Sequence, residues 1–422
     1  MNSNSMHKRA YLAAILIGLL PAWMILLPLD MTRDPEGWQV FIRVKSFVVL
    51  LAQLMFVFLA MSTTFSPFRS ISQLPHITKA AALLWLIVAG FVSLQSGKDY
   101  FSASIGLFKI IIAGLFLLAL INLRIVFGLR FLTVLWTALG VGTVAYIALW
   151  TIYIFTVSPQ GEEWVKRIPG VNNVRHTGHF AITGVIAGLF VFLASRNNPN
   201  IWLRWIIPSV FAIAGFGLAL WTGSRGPLLA SLISMFVTIL VAVQQRKIIA
   251  GFCVAAALAA TAAVALLPVP HPIYGIAGAT GLADVSAQDA YSASSGRTML
   301  WTDTVKQIRE RPLLGWGVEQ FGMSSRSEVG QFLHPHNFPL QIMFSGGLLS
   351  MLMLFLLVFP ALRRSGWPSI DGPTAAGVGC VVGMLVYSLY DGTLYFSYPI
   401  TILLIGVATP IKSTSRQSAH DR

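Results

Sequence analysis

Apolar runs long enough to cross a bilayer recur almost from end to end of this chain, and no other feature limits its fold so strongly. A helix rises about 1.5 Å per residue, so roughly 17–25 apolar residues span the hydrocarbon core. Twelve such windows lie near 11–29, 44–61, 80–96, 101–121, 131–157, 177–194, 205–223, 227–244, 248–268, 338–360, 374–390 and 394–411. Hydrocarbon offers no water to an unpaired peptide group, so windows of this length fold as helices that close their own hydrogen bonds. The expectation is an all-α polytopic membrane protein of about twelve transmembrane helices, with residues 1–422 forming one integral membrane domain. Charged residues make up 10% of the chain, against about a quarter in soluble domains, which excludes a soluble globular protein. The first window contains Pro21 and Pro28 and lacks a small-residue cleavage site, so it reads as a retained span.

The formal charge of +14 resembles a nucleic-acid footprint until the charges are placed between the windows. With the N-terminus inside, the cytoplasmic segments hold Lys8, Arg9, Arg69, Lys79, Arg124, Arg130, Arg196, Arg204, Arg246, Lys247, Arg363, Arg364, Lys412, Arg416 and Arg422, against Asp371 and Asp421 only. The opposite side balances to zero, and Lys109 lies within the fourth span. Lys and Arg concentrated in short inside loops orient membrane proteins, so the basicity is topogenic and no nucleic acid is implied. Both chain ends are then cytoplasmic. Cys253 and Cys380, the two cysteines, both fall in predicted spans, which argues against a disulfide or a cysteine metal site. The small residues from Val254 to Ala265 favour close packing of the ninth span.

The inside loops are too short to house a site. Two outer segments are long, 158–176 and 269–337, the second lying between the ninth and tenth spans. Pro268, Pro270 and Pro272 end the ninth helix, and a Gly/Ala/Ser-rich stretch follows. The pattern then predicts a helix from about Gly296 to Arg311, capped by Ser294 or Ser295 and stopped by Pro312. Trp301, Val305 and Ile308 form an apolar stripe at helical spacing, and Arg297 shares its face. Such an arginine is either a surface charge at a helix start or a functional one. Gly315-Trp316-Gly317 reads as loop geometry. The segment closes on His334-Pro335-His336-Asn337 at the mouth of the tenth span. Imidazole titrates nearest neutral pH and suits proton transfer. A zinc pair, a pH sensor, and histidines satisfied by backbone carbonyls are the alternatives.

Arg175 and His179 precede or open the sixth span in Val174-Arg175-His176-Thr177-Gly178-His179, and share a face if the helix has already begun. Arg225 lies in Thr222-Gly223-Ser224-Arg225-Gly226-Pro227, between the seventh and eighth. Both arginines either snorkel to the interface or serve a ligand. Guanidinium forks grip phosphate oxygens in pairs, so Arg175, Arg225 and Arg297 together read as a pyrophosphate clamp. Lys109 either pairs within the bundle or meets substrate. Asp391, after the eleventh span, is either a structural helix-end carboxylate or a second acid or base. Glu162 and Glu163 read as solvated loop charge.

These residues resemble the O-antigen ligase family, within a wider group that includes O-antigen polymerases and protein-glycosylating oligosaccharyltransferases. The resemblance rests on Ser224-Arg225-Gly226 opening a span, then on Ser295-Gly296-Arg297 and Arg311-Pro312-Leu313-Leu314-Gly315 in one outer loop. His336-Asn337, nine residues and Gly347 complete the pattern, which Ser350 departs from where the family has Gly, Thr or Tyr. The resemblance implies a membrane-embedded, GT-C-like glycosyltransferase of the bacterial inner membrane, independent of metal and cofactor, with a periplasmic site. It implies a glycan on undecaprenyl pyrophosphate as donor and a lipid A–core sugar hydroxyl as acceptor, with membrane lipids around both. His336 takes the place of the family's functional histidine, Arg175 and Arg225 of its arginines, and Arg297 of the loop arginine. Asn337 belongs to the pattern, whereas His334 does not.

The chemistry fits. A pyrophosphate-linked donor carries its own leaving group, and no nucleotide-binding motif is present. A base for the hydroxyl and cations for the departing pyrophosphate are required, and direct attack inverts the anomeric centre. The carboxylate pair of a glycoside hydrolase is not evident. A transporter for an anionic lipid would use the same arginines without catalysis, but repeat symmetry between halves is not evident either.

Overall fold

In the computed structural model, residues 3–25, 35–72, 76–96, 99–157, 171, 174–269, 274–280, 297–324, 332–363 and 371–411 are described. The principal helices are α1 (Ser3–Gly18), α2 (Pro35–Met61), α3 (His76–Ser96), α4 (Tyr100–Val157), α5 (Gly178–Ala194), α6 (Ile207–Trp221), α7 (Arg225–Val241), α8 (Arg246–Ala265), α9 (Arg297–Glu310), α10 (Phe338–Arg363), α11 (Gly372–Tyr390) and α12 (Ser397–Ala408). Among the described residues there is no β-strand. Seven helices among the described residues are long and apolar enough to cross a membrane, and α5, α7 and α12 are shorter apolar helices. The protein is an all-α polytopic membrane protein.

The hub is α5, buried at every residue from Gly178 to Leu193 and packed by α4, α6, α7 and α11. Its sequence is apolar on all sides because it meets protein on all sides. Glycines bring the neighbours close: a Cβ on Gly184 would stand 2.9 Å from the Gly215 Cα of α6. Such small-residue contacts replace the hydrophobic drive that is missing between helices in lipid.

Three sequence expectations need correction. The windows 101–121 and 131–157 are not separated by a loop, because α4 runs through both and bends at Gly128 (φ 67, ψ −152). The buried face of α9 is formed by Leu300, Thr304, Gln307 and Ile308, and Val305 is exposed. The arc that meets Phe321 and Phe344 is centred nearer Leu300 and Thr304, leaving Trp301 half-buried at its edge. Finally, Val174–Thr177 is a 3-10 turn, so α5 has not begun at Arg175. The proposed caps Ser294 and Ser295 lie outside the described residues, as do Glu162 and Glu163.

The second broken helix is α10. Gly346 (φ −142, ψ 17) and Gly347 (φ 63, ψ −162) interrupt it, and Pro312–Gly317 fills the gap. Trp316 N–H donates to Phe344 O at 2.8 Å and Gly317 N–H to Ser345 O at 2.9 Å, while Leu348 N–H donates to Pro312 O at 2.8 Å. The loop therefore satisfies backbone groups that the break sets free, as non-helical backbone at membrane depth requires. Gly315 and Gly347 adopt positive φ where the two backbones touch, which leaves no room for a Cβ on either.

Hydrogen bonds join helix ends at each end of the bundle. At one end, Arg9 Nη1 donates to Ser62 O at 3.1 Å, Thr64 Oγ1 to Asn122 Oδ1 at 3.2 Å and Arg124 Nε to Thr409 O at 3.5 Å. At the other end, Trp221 Nε1 donates to Pro268 O at 3.0 Å and Trp301 Nε1 to Pro335 O at 2.9 Å.

Candidate active site

His336 lies where the start of α10 meets the end of α11, and the starts of α7 and α9 adjoin these ends. Asn337 caps α10, its Oδ1 accepting the Leu340 N–H at 3.0 Å, and its Nδ2 donates to Leu389 O at 3.1 Å near the end of α11. This double role fixes the entry of α10 against the exit of α11. His336, one residue earlier, has φ +53, a left-handed conformation uncommon outside glycine. Two contacts hold it there. Its N–H donates to His334 Nδ1 at 3.2 Å, and its ring Nδ1 lies 3.3 Å from Asp391 Oδ1.

Asp391 ends α11, its N–H donating to Tyr387 O at 3.1 Å. Its Oδ1 also accepts the Gly392 N–H at 2.8 Å, and its Oδ2 accepts the Tyr387 hydroxyl at 3.2 Å. Burial favours the neutral acid, but the hydrogen bond from His336 and the charges of His176, His336 and Arg297 outweigh it and hold the carboxyl below the usual carboxylate range. In the tautomer with its proton on Nδ1, His336 donates to the ionised Asp391, which leaves Nε2 to accept a proton. A carboxylate orienting an imidazole so that its far nitrogen can take a proton is the arrangement of a general base.

His334 is buried, and its ring stacks on Tyr395 at 4.6 Å and lies 4.2 Å from that of His336. Burial first, then the His336 charge, lower its pKa well below the usual histidine value. Arg297 is half-buried at the start of α9, one turn before Trp301, whose bond to Pro335 ties that helix to the histidine segment. At the start of α7, a Cβ on Gly226 would lie 3.2 Å from the Tyr387 ring, so this helix end adjoins the Tyr387–Asp391 pair. Arg225 itself is exposed, and its Nε donates to Gly278 O at 3.4 Å. The 3-10 turn before α5 brings His176 to Phe396 at 5.5 Å. Arg175 belongs to that turn, with its side chain outside the described residues. His179 is buried one step further in, 5.5 Å from the Tyr398 ring. Lys109 Nζ donates to Glu319 Oε1 at 2.8 Å and lies 5.5 Å from the Tyr395 ring. Among the described residues, no three His, Cys, Asp or Glu side chains are placed to hold one metal ion.

Reasoning from sequence missed Tyr387, His176, Glu319 and Tyr395. The four-residue spacing of Tyr387 and Asp391 at a helix end was a usable signal. Nothing local marks Glu319 or Tyr395, which meet across 76 residues. A cleft of about 400 Å³ between α6 and α8, lined by Trp205, Ile213, Phe252 and Ala256 among others, shares no residue with this site.

The fold and this cluster define a polytopic membrane protein with a histidine–carboxylate site at one end of its bundle. Residues 210–355 match the family described as O-antigen ligase. An O-antigen ligase of Pseudomonas aeruginosa is 26% identical over 240 residues, covering 54% of this chain and 53% of the relative. The chain therefore spans about half the length of the curated relative it matches. These findings bear out the resemblance of this chain to the O-antigen ligase family. The family match contains Arg225, Arg297, His336, Asn337 and Gly347, whereas Arg175 and Asp391 lie beyond it.

Proposed function

We propose that the protein is an O-antigen ligase, moving a glycan from undecaprenyl pyrophosphate to a sugar hydroxyl of lipid A–core at the periplasmic face of the bacterial inner membrane, with both termini cytoplasmic. The observation that carries this reading is the 3.3 Å contact of His336 Nδ1 with Asp391 Oδ1 in a cluster that includes Arg297. His336 Nε2 takes the acceptor hydroxyl proton as the oxygen attacks the anomeric carbon. The bond from that carbon to the pyrophosphate oxygen breaks, its electron pair leaves with the pyrophosphate, and the centre inverts. Arg297, Arg225 and Arg175 serve to balance the charge growing on the leaving group. Neither metal nor cofactor is needed for these steps.

The test is transfer by the purified protein given lipid-linked glycan and candidate acceptors. His336→Ala should leave folding and donor binding intact while transfer falls by about 10²–10⁴-fold, the usual reach of general-base catalysis. Undiminished transfer by a folded His336→Ala protein would refute the assignment. Glycan lengthening in place of joining to lipid A–core would indicate a polymerase, joining to a protein an oligosaccharyltransferase, and no covalent product in wild type a transporter.

A further inference from the structure

His334 lies outside the family pattern, and its surroundings assign it a task. The ring is wedged between two walls. On one side is Gly392, where any Cβ would overlap the imidazole. On the other is Tyr395, stacked at 4.6 Å with 30° between the planes. The Tyr395 hydroxyl donates to Glu319 Oε2 at 2.6 Å, and Lys109 Nζ donates to Glu319 Oε1 at 2.8 Å. Glu319 is itself held at φ +59 in the segment that follows the α10 socket. That segment is anchored on the opposite face, Val318 N–H donating to Ser93 Oγ at 3.0 Å and Gln320 Nε2 to Asp99 O at 2.9 Å. A rigid path thus runs from α3 and α4 through Glu319 and Tyr395 to His334. It ends where His334 Nδ1 accepts the N–H of His336 at 3.2 Å.

We propose that His334 is a positioning residue: its Nδ1 clamps the left-handed backbone of His336, and the Lys109–Glu319–Tyr395 chain holds the clamp in place. A non-glycine residue at positive φ persists only where its surroundings over-determine it. Asp391 orients the His336 ring, while His334 fixes the backbone from which that ring projects. Nδ1 can accept only if His334 is neutral and carries its proton on Nε2, so the clamp transfers no proton. This inference rests on His336 being the base.

The experiment compares purified full-length variants in transfer from lipid-linked glycan, with kcat, KM for donor and acceptor, and the pH profile measured for each. Asparagine offers an acceptor oxygen near the position of Nδ1; phenylalanine keeps the stack and offers none. His334→Phe should lower kcat about tenfold or more, the scale of one hydrogen bond in a catalytic geometry, with both KM values and the pH profile unchanged. His334→Asn should recover most of the rate. Glu319→Gln should lower kcat several-fold in the wild-type and His334→Asn backgrounds and have little further effect beside His334→Phe, since coupled residues are not additive. Equal loss in His334→Asn and His334→Phe would overturn the clamp, as would a full rate in a folded His334→Phe protein or strict additivity with Glu319→Gln. If His334→Phe does not fold, Glu319→Gln decides in the wild-type and His334→Asn backgrounds: an unchanged kcat in both overturns the clamp. Transfer surviving in His336→Ala would instead remove the base on which the inference stands.

Discussion

Two helices of this bundle break at a glycine with nearly the same backbone angles, and the breaks differ in what fills them. Gly128 in α4 (φ 67, ψ −152) and Gly347 in α10 (φ 63, ψ −162) both occupy a region open essentially to glycine alone. A Cβ on Gly128 would meet nothing within 4 Å, whereas one on Gly347 would strike the Leu313 carbonyl and the Leu314 nitrogen. The first break is a bend flanked by Arg124 and Arg130 at the end assigned inside. The second is a socket for Pro312–Gly317, and the residues after that loop carry Glu319 to Tyr395. One glycine is required by conformation alone; the other, separated from Asn337 by nine residues, is required also by what docks on it. The spacing from His336 to Gly347 thus joins the proposed base to the socket beside it.

The largest contrast should come from testing the two glycines directly. Alanine at either position incurs backbone strain of about 1–3 kcal/mol. At Gly347 the collision also unseats the loop and its hydrogen bonds to Phe344, Ser345 and Leu348. Gly347→Ala should therefore lower transfer by about 10²-fold or more and melt well below wild type in detergent, whereas Gly128→Ala should stay within about threefold in transfer. Melting curves and turnover for both variants check this. Equal losses would mean that the socket carries nothing beyond backbone geometry.

Arginines at the two ends give the next contrast. Lysine keeps the charge but not the paired donors of a guanidinium. Arg225→Lys, Arg175→Lys and Arg297→Lys should each slow transfer about tenfold, as expected where two-point grip on a phosphate is lost. Arg124→Lys at the inner end should leave transfer unchanged. Donor titrations for the four variants separate a specific grip from general positive charge, and near-normal rates for all three outer variants would reduce them to the latter.

The bundle was legible because membrane spans announce themselves by length and apolarity, residue by residue. So was α9, expected from about Gly296 to Arg311 and found from Arg297 to Glu310, because proline and helical spacing mark its limits. The His336–Asn337–Gly347 spacing pointed to a site, but what that spacing does could not be read, since the socket is filled from Pro312–Gly317. A break between the windows 101–121 and 131–157 was expected, but not that a single bend at Gly128 makes it, because helix continues on both sides. Asp391 stayed ambiguous for a related reason: its partner His336 lies 55 residues away on another helix end. Lys109 and Glu319 are 210 residues apart, and only the packing of α4 against the loop unites them. Positive φ at His336 and Glu319 follows from contacts and leaves no mark in the pattern.

The smallest contrast expected between the two ends is in their response to acid. His334 has a folded-state pKa well below its unfolded value of about 6.5, with burial the main cause. Above that value neither state binds the proton, and His334 makes no difference to stability. Below it the unfolded chain takes up a proton that the folded site refuses, so stability falls as pH falls, by at most about 1.4 kcal/mol per pH unit. Asp391 adds nothing in this window: its lowered pKa stabilises the folded state at every pH above the ordinary carboxylate range. Between pH 7 and 5.5, backbone amides of the histidine segment and of Phe338–Ser345 should therefore lose protection in hydrogen exchange by about 1 kcal/mol, once intrinsic rates are corrected. Amides on either side of Gly128 should not change. His334→Phe should abolish the difference. Loosening of both ends together, or its persistence in His334→Phe, would mean that acid acts through groups other than this buried imidazole.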